Sequence, residues 1–407
     1  MTSTNDPPPQ GDVQGPSEKD PSGWYTRITG LGTRAGQALL IPSLAFVAAL
    51  VVGAFIIAFT DLDALDRLGS EPFAALGDMA SGVGTAYRAL FEGAFGSVRA
   101  ISETLFAATS LILAGLAVAL GFRAGLFNIG ANGQMFIGGA AALWVGIHLS
   151  VPTAIHIPLA LIAAIIGGGI WGGIAGFLRA RTGAHEVITT IMLNFIAAGL
   201  VLWAFKTSLF QEAGATNPIS AKVKETARLI PIFGDRYRVS IGFLLAAGAV
   251  FLVYWLLFRS TLGFEFRAAG FSPGAAEYAG MKVGFLYTAV MAVCGALAGV
   301  AGATMTIGLP PYQASPGFVG IIGFDAITLA LLGRSHPYGV FWAGILFGSL
   351  KAGGRAMQGV AQVPLDLVVV MQALIVVFIA APRLVRAIFR VKQADLESAQ
   401  LTRGWGG

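Results

Sequence analysis

Two long uncharged runs, Leu39 to Thr60 and Thr153 to Leu178, decide what this chain can fold into. Each is long enough to carry a helix through a bilayer core of about 30 Å, which takes about 20 residues at about 1.5 Å per residue. Hydrophobic residues make up 56% of the 407 positions and charged residues 12%, about half the charge of an ordinary soluble domain. Lipid offers no partner for a backbone N–H or C=O, so runs of this length and composition must be helices. The 55 glycines fit the same medium, because in membrane helices glycine is a packing residue more than a breaker.

The expected fold class is all-α: a polytopic transmembrane helical bundle of about ten spans in two inverted five-helix halves, with both termini cytoplasmic. The spans fall near 38–60, 104–121, 127–147, 153–178, 186–205, 240–258, 284–308, 319–333, 338–352 and 365–381. Residues 1–35 form an expected disordered cytoplasmic tail, 36–390 the transmembrane domain and 391–407 a cytoplasmic C-terminal tail. The tail carries Pro7, Pro8, Pro9, Pro16 and Pro21 and no apolar signal-peptide core. Basic residues favour the cytoplasmic side. That rule places Arg27, Arg34, Arg123, Arg179, Arg181, the 259–283 loop, Arg334, Arg383, Arg386, Arg390 and Lys392 inside. The acidic 61–103 loop falls outside, as expected. The 206–239 loop also falls outside although it is net basic, with Lys206, Lys222, Lys224, Arg228, Arg236 and Arg238.

Several functions lose their support at this level. The single Cys294 excludes an intramolecular disulfide, and His148, His156, His185 and His336 stand at different span ends without metal-ligand spacing. The net charge of +5 reads as basic cytoplasmic loops, not as nucleic-acid binding. No G-x-x-x-x-G-K-[ST] phosphate loop occurs, so any ATP hydrolysis that drives this chain must come from another one. No catalytic arrangement is visible, and neither enzyme activity nor a cofactor is expected.

Most spans are uniformly apolar, and two depart from that. The third begins Gly125-Leu-Phe-Asn-Ile-Gly-Ala-Asn-Gly-Gln-Met135 and sets Asn128, Asn132 and Gln134 among glycines. Asn128 and Asn132, four apart, would share one face of a continuous helix. The eighth, Gly320-Ile-Ile-Gly-Phe-Asp-Ala-Ile-Thr328, holds Asp325, a carboxylate inside or close to the membrane. Such a charge costs several kcal/mol unless it faces water or a partner. Each span is third in its half, and the two run in opposite directions. Glycine-broken segments at matched places in inverted halves point to a transport pathway. The competing reading is that the amides and Asp325 tie helices together by hydrogen bonds. Small residues also recur every fourth position, at Gly168, Gly172 and Gly176 and at Gly295, Gly299 and Ala303. That spacing suits close internal packing, with a dimer seam as the alternative.

The longest cytoplasmic loop, Arg259 to Val283, contains a short helix signal. Ser272 suits an N-cap, Pro273 the first helical position and Gly280 the stop, which predicts a helix over Pro273–Ala279. So short a helix is marginal alone in water, and Phe271 and Tyr278 offer apolar contacts to a partner. The alternative is that it folds onto its own membrane surface.

Four motifs in order resemble ABC-importer permeases for simple sugars and nucleosides: Phe127 to Gln134, Thr190 to Phe195, Arg267 to Gly280, and Gly323 to Arg334. The first two resemble the nucleoside branch most. The likeness covers roughly residues 36–390 and implies one half of a transmembrane pair. Its partners would be a cytoplasmic ABC ATPase that binds the ATP, an extracytoplasmic solute-binding protein or lipoprotein, and a second permease, identical or not. The setting would be the cell membrane. The resemblance also implies that Arg267, Gly270, Ser272, Pro273, Ala276, Glu277, Tyr278 and Gly280 form the ATPase-coupling loop. The expected substrate pathway combines Asn128, Asn132, Gln134 and Asn194 as neutral donors and acceptors with Phe127, Phe195, Phe324 and Asp325. Related permeases often carry Glu where this chain has Asn132, which would alter charge preference if that position faces the pathway. An ion-coupled secondary transporter with Asp325 as the coupling carboxylate is the alternative from another class. It leaves the short cytoplasmic helix unexplained, and a purely structural scaffold leaves the matched polar breaks unexplained.

Overall fold

The computed structural model describes residues 43–389 apart from positions 213 and 235. The expected tails, with Arg27, Arg34, Arg390 and Lys392, lie outside the described residues, as does the start of the first span. What is described is helical, with two isolated β-bridges near residues 211–240. The first helix is α1 (Ser43–Ala58). It is followed by α2 (Leu62–Arg67), α3 (Pro72–Phe95), α4 (Val98–Arg123), α5 (Ala131–His148), α6 (Thr153–Thr182) and α7 (Glu186–Ala204). The second part comprises α8 (Ile241–Arg259), α9 (Thr261–Phe271), α10 (Pro273–Tyr278), α11 (Val283–Thr306), α12 (Ile322–Leu332), α13 (Pro337–Ala361), α14 (Leu365–Ala380) and α15 (Pro382–Ile388).

Five helices, α4, α6, α7, α8 and α11, are long and apolar enough to cross a membrane, and α1, α12 and α14 are shorter apolar helices. Together with α5 and α13, they occupy the positions expected for spans. Their starts follow local chemistry. Ser97 caps α4 by accepting from Ala100 N at 3.1 Å, and Ser240 caps α8 by accepting from Gly242 N at 3.3 Å. Pro337 opens α13, where a missing N–H costs nothing.

Helices gain no hydrophobic driving force from one another in lipid, so close van der Waals packing holds them. The two small-residue stripes face each other. Gly168 and Gly172 of α6 lie against Gly295 and Gly299 of α11 so closely that a β-carbon on Gly168 would sit 2.8 Å from Gly299 Cα. The stripes therefore serve internal packing. The pattern repeats between halves: α6 runs along α11 as α13 runs along α4, and α5 packs on α11 as α12 packs on α4. With α4 and α6 matched to α11 and α13, these are the same contacts made twice.

Two elements depart from the sequence expectation. The 61–103 stretch, expected as a loop, contains the 24-residue α3. Its Ala75, Met79, Ala86, Leu90 and Ala94 are buried at helical spacing, and it packs along α13. The polar residues on its other face masked that stripe. Similarly, the 259–283 loop contains α9 before the short helix. Ser260 caps α9 by accepting from Gly263 N at 3.0 Å.

Candidate functional site

The two polar spans meet inside the bundle. Helix α5 does not begin until Ala131, after a non-helical turn containing Gly125 at φ +69°, so Asn128 lies outside the helix and shares no face with Asn132. Neither α5 nor α12 has a side-chain cap of its own. The first N–H groups of a helix have no partner within it, and buried away from water they need one. Asn194 of α7 supplies it for α5: its Oδ1 accepts from Gly133 N at 2.7 Å while its Nδ2 donates to Ile129 O at 2.9 Å. Asn132 does the same for α12, accepting from Gly323 N at 2.7 Å and donating to Gly320 O at 2.9 Å. Asn128 and Gln134 pair with each other through both amides, at 3.0 and 2.9 Å. Each of these four side chains is buried and has its amide engaged within the protein. From that junction α5 and α12 run apart, α5 toward the 206–239 segment and α12 toward Arg123.

The other pathway candidates divide. Phe127, Phe195 and Phe324 are exposed on the surface of this single chain. Asp325 stands in the first turn of α12, where a helix N-terminus favours negative charge. Lys351 of α13 donates to its Oδ2 at 2.6 Å. Sequence reading named the acid and missed the base. Lys351, with Arg355 one turn on in an otherwise apolar and small-residue stretch, was the available signal, since an intramembrane charge implies a partner.

On the opposite side of the junction lies the α8–α11 connection. Ser272 Oγ accepts from Ala275 N at 3.4 Å, Pro273 opens α10, and Gly280 at φ +85° ends it. The short helix thus stands where expected, over Pro273–Tyr278. Ala276 is buried beneath it, whereas Phe271 and Tyr278 are 94% and 97% exposed. Arg267 reaches back over the Phe258 ring, 5.4 Å from its centroid. Gly270 closes the anchor: a β-carbon there would lie 2.5 Å from the Ala124 carbonyl carbon and 2.7 Å from Gly125 N. The α9–α10 hairpin therefore rests directly on the turn that leads into the Asn128–Asn132 junction.

The same face is tied across the bundle. Arg123 donates to the carbonyls of Ser335 at 2.9 Å and Arg334 at 3.2 Å, in the turn between α12 and α13. Burial, reinforced by the Arg123 charge, holds the His336 imidazole below its ordinary range, so it is neutral at pH 7 and stacks on Phe258 at 5.4 Å. At the far face, the basic 206–239 segment engages local acceptors. Arg238 pairs with Glu103 at 3.1 Å, and Lys224 donates to the His148 carbonyl at 3.3 Å. Arg228 lies 4.5 Å over Tyr312. Three of the six basic residues of this segment thus have local partners.

Residues 100–380 match the family described as branched-chain amino acid transport system / permease component. The chain is 37% identical to the guanosine ABC transporter permease protein of Bacillus subtilis (strain 168), over 86% of this chain and 94% of that one. It is 34% identical to a glucose ABC transporter permease protein of Haloferax volcanii, over 83% of this chain and 86% of the relative. A nucleoside ABC transporter permease protein of Lactococcus lactis subsp. cremoris is 33% identical, over 79% and 89%. No solved structure matches.

Proposed function

The chain belongs to the family of branched-chain amino acid transport system permease components, and from that premise we infer that it is the membrane-spanning subunit of an ABC importer that carries a nucleoside inward. The observation that supports the coupling role most is α10. A capped helix of two turns has little stability alone, yet Phe271 and Tyr278 beside it present their rings almost wholly to solvent. That arrangement suits insertion into a groove of a cytoplasmic ATPase. ATP binding and hydrolysis belong to that separate subunit, with no cofactor on this chain. A solute-binding protein or lipoprotein delivers solute at the 206–239 face, and a second permease, identical or different, completes the pair in the cell membrane.

The proposed mechanism follows contacts already described. Closure of the ATPase moves α10 and α9. Gly270 bears on Ala124–Gly125, and that turn leads to Asn132, which holds the start of α12. The helix carrying Asp325 is thus joined to the coupling hairpin by backbone contact and two hydrogen bonds. Phe127, Phe195 and Phe324 remain proposed pathway surfaces, whereas Asn128, Asn132, Gln134 and Asn194 position the segments that line it. Lys351 already neutralises Asp325, which removes the free carboxylate that an ion-coupled carrier would need.

Replacing Ala276 with Pro removes the Ala276 N to Ser272 O bond of 3.0 Å and breaks α10 without touching the spans. The expected outcome is a folded membrane protein that no longer retains its ATPase in detergent and no longer supports uptake. Normal association and uptake would show that α10 is not the coupling helix. The glucose relative favours a second reading of the solute. Uptake by the intact importer of guanosine, uridine and glucose in parallel separates the two, and glucose alone would overturn the nucleoside assignment.

A further inference from the structure

The four amides named as pathway candidates are all engaged, but one other amide is not. Gln372 lies midway along α14 and is 5% exposed, and its Nε2 has no hydrogen-bond partner among the described residues. A polar group left unpaired in an apolar interior is costly, and this nitrogen is sealed from solvent, so a solute reaches it only if the amide turns toward the cavity that the side chain borders. Gln372 lines a cavity of about 290 Å³ between α4, α11, α12, α13 and α14. Apolar walls come from Phe106, Leu111, Met305 and Val369, and the Asp325–Lys351 pair borders the same space. Lys351 engages Oδ2 of the carboxylate, leaving Oδ1 as an acceptor.

We propose that this cavity is the intramembrane solute site, and that it takes a heterocyclic base through its N–H and C=O edge. The volume is close to the lower limit of small-molecule sites, about 300 Å³, and the composition is theirs: apolar walls with a few convergent polar groups. A base edge presents alternating donors and acceptors on a flat apolar body. Gln372 offers an amide, Asp325 an acceptor and Lys351 donors. Asp325 and Lys351 balance each other's charge, and Arg355 at the same cavity is paired with Glu103 at 3.5 Å, which suits a neutral solute over an ionic one. This placement depends on the import reading above and adds to it the residues that touch solute. The binding protein sets the concentration dependence of uptake, so a defect at this site belongs in the maximal rate.

Two measurements on the importer reconstituted with its ATPase and binding protein test the site. Gln372→Leu should lower the maximal rate of guanosine uptake about tenfold, the loss of one hydrogen bond. The half-saturating concentration, ATPase association and thermal stability should be unchanged or, for stability, raised. A purely structural amide would lower stability instead. In the second, Val369→Cys is alkylated with a small maleimide, and guanosine should slow labelling. The native Cys294 is buried, which keeps the background low. Wild-type guanosine uptake with full-rate Gln372→Leu and unprotected Val369→Cys would overturn the site while leaving the import reading intact. Protection by glucose in place of guanosine would overturn the base-edge chemistry. Absence of nucleoside uptake in the wild type would overturn both.

Discussion

A buried amide in a membrane protein can serve the solute or the backbone, and only geometry decides between them. At Asn132 it is the backbone: one side chain satisfies Gly323 N and Gly320 O together. Replacing it with Leu leaves a buried N–H and C=O unpaired, at about 1–3 kcal/mol for each uncompensated group. Asn132→Asp keeps the acceptor for Gly323 N and loses the donor, so it should fall between Leu and wild type. Thermal denaturation of the detergent-purified chain gives the order. If Asn132→Leu is as stable as wild type and only uptake changes, Asn132 is a solute contact after all. The residue types were legible in sequence, with Asn128, Asn132, Gln134 and Asn194 singled out by their apolar surroundings. Their partners were not, because each bond except Asn128–Gln134 joins positions more than 60 residues apart in the chain. Gln372 escaped notice for the complementary reason. Alone in an apolar helix with no glycine or motif beside it, it becomes distinctive only once its lack of a partner is seen.

Among the elements, α10 was legible to within one residue because Ser272, Pro273 and Gly280 are local signals, each acting on its own backbone. Helix α3 was not. Its stability comes from the fit of small residues such as Gly93 against Gly353 and Ala356 of α13, a tertiary reason invisible to loop-charge counting. Helix α9 matters for the transmission proposed above, because Gly270 is its contact with the Ala124–Gly125 turn. Gly270→Val forces α9 away from that turn while leaving Phe271 and Tyr278 exposed. The expected variant retains its ATPase and hydrolyses ATP, yet its solute uptake falls at least tenfold, since a side chain driven into backbone must displace the element that carries it. Co-purification, ATP hydrolysis and uptake measured on one preparation separate the steps. Full uptake would remove Gly270 from the path between the ATPase and the spans.

For the whole molecule, every expected span falls on a helix, five of them long and apolar enough to cross a membrane. Repetition of the α6–α11 contact as α13–α4 gives those positions a common plan. The two glycine-broken spans occupy equivalent places in that plan, as their positions in the sequence led us to expect, and meet at their N-terminal ends. The basic 206–239 segment, which conflicted with the charge rule, is tied at Arg238 to Glu103 and at Lys224 to the His148 carbonyl at the end of α5. On the proposed function, solute movement is driven by ATP on a partner subunit and transmitted through this chain. The most direct test places the purified chain in liposomes with and without its ATPase and binding protein and measures guanosine accumulation. The account predicts accumulation only with both partners and ATP, and none from a proton or sodium gradient. Gradient-driven accumulation by the chain alone would contradict it.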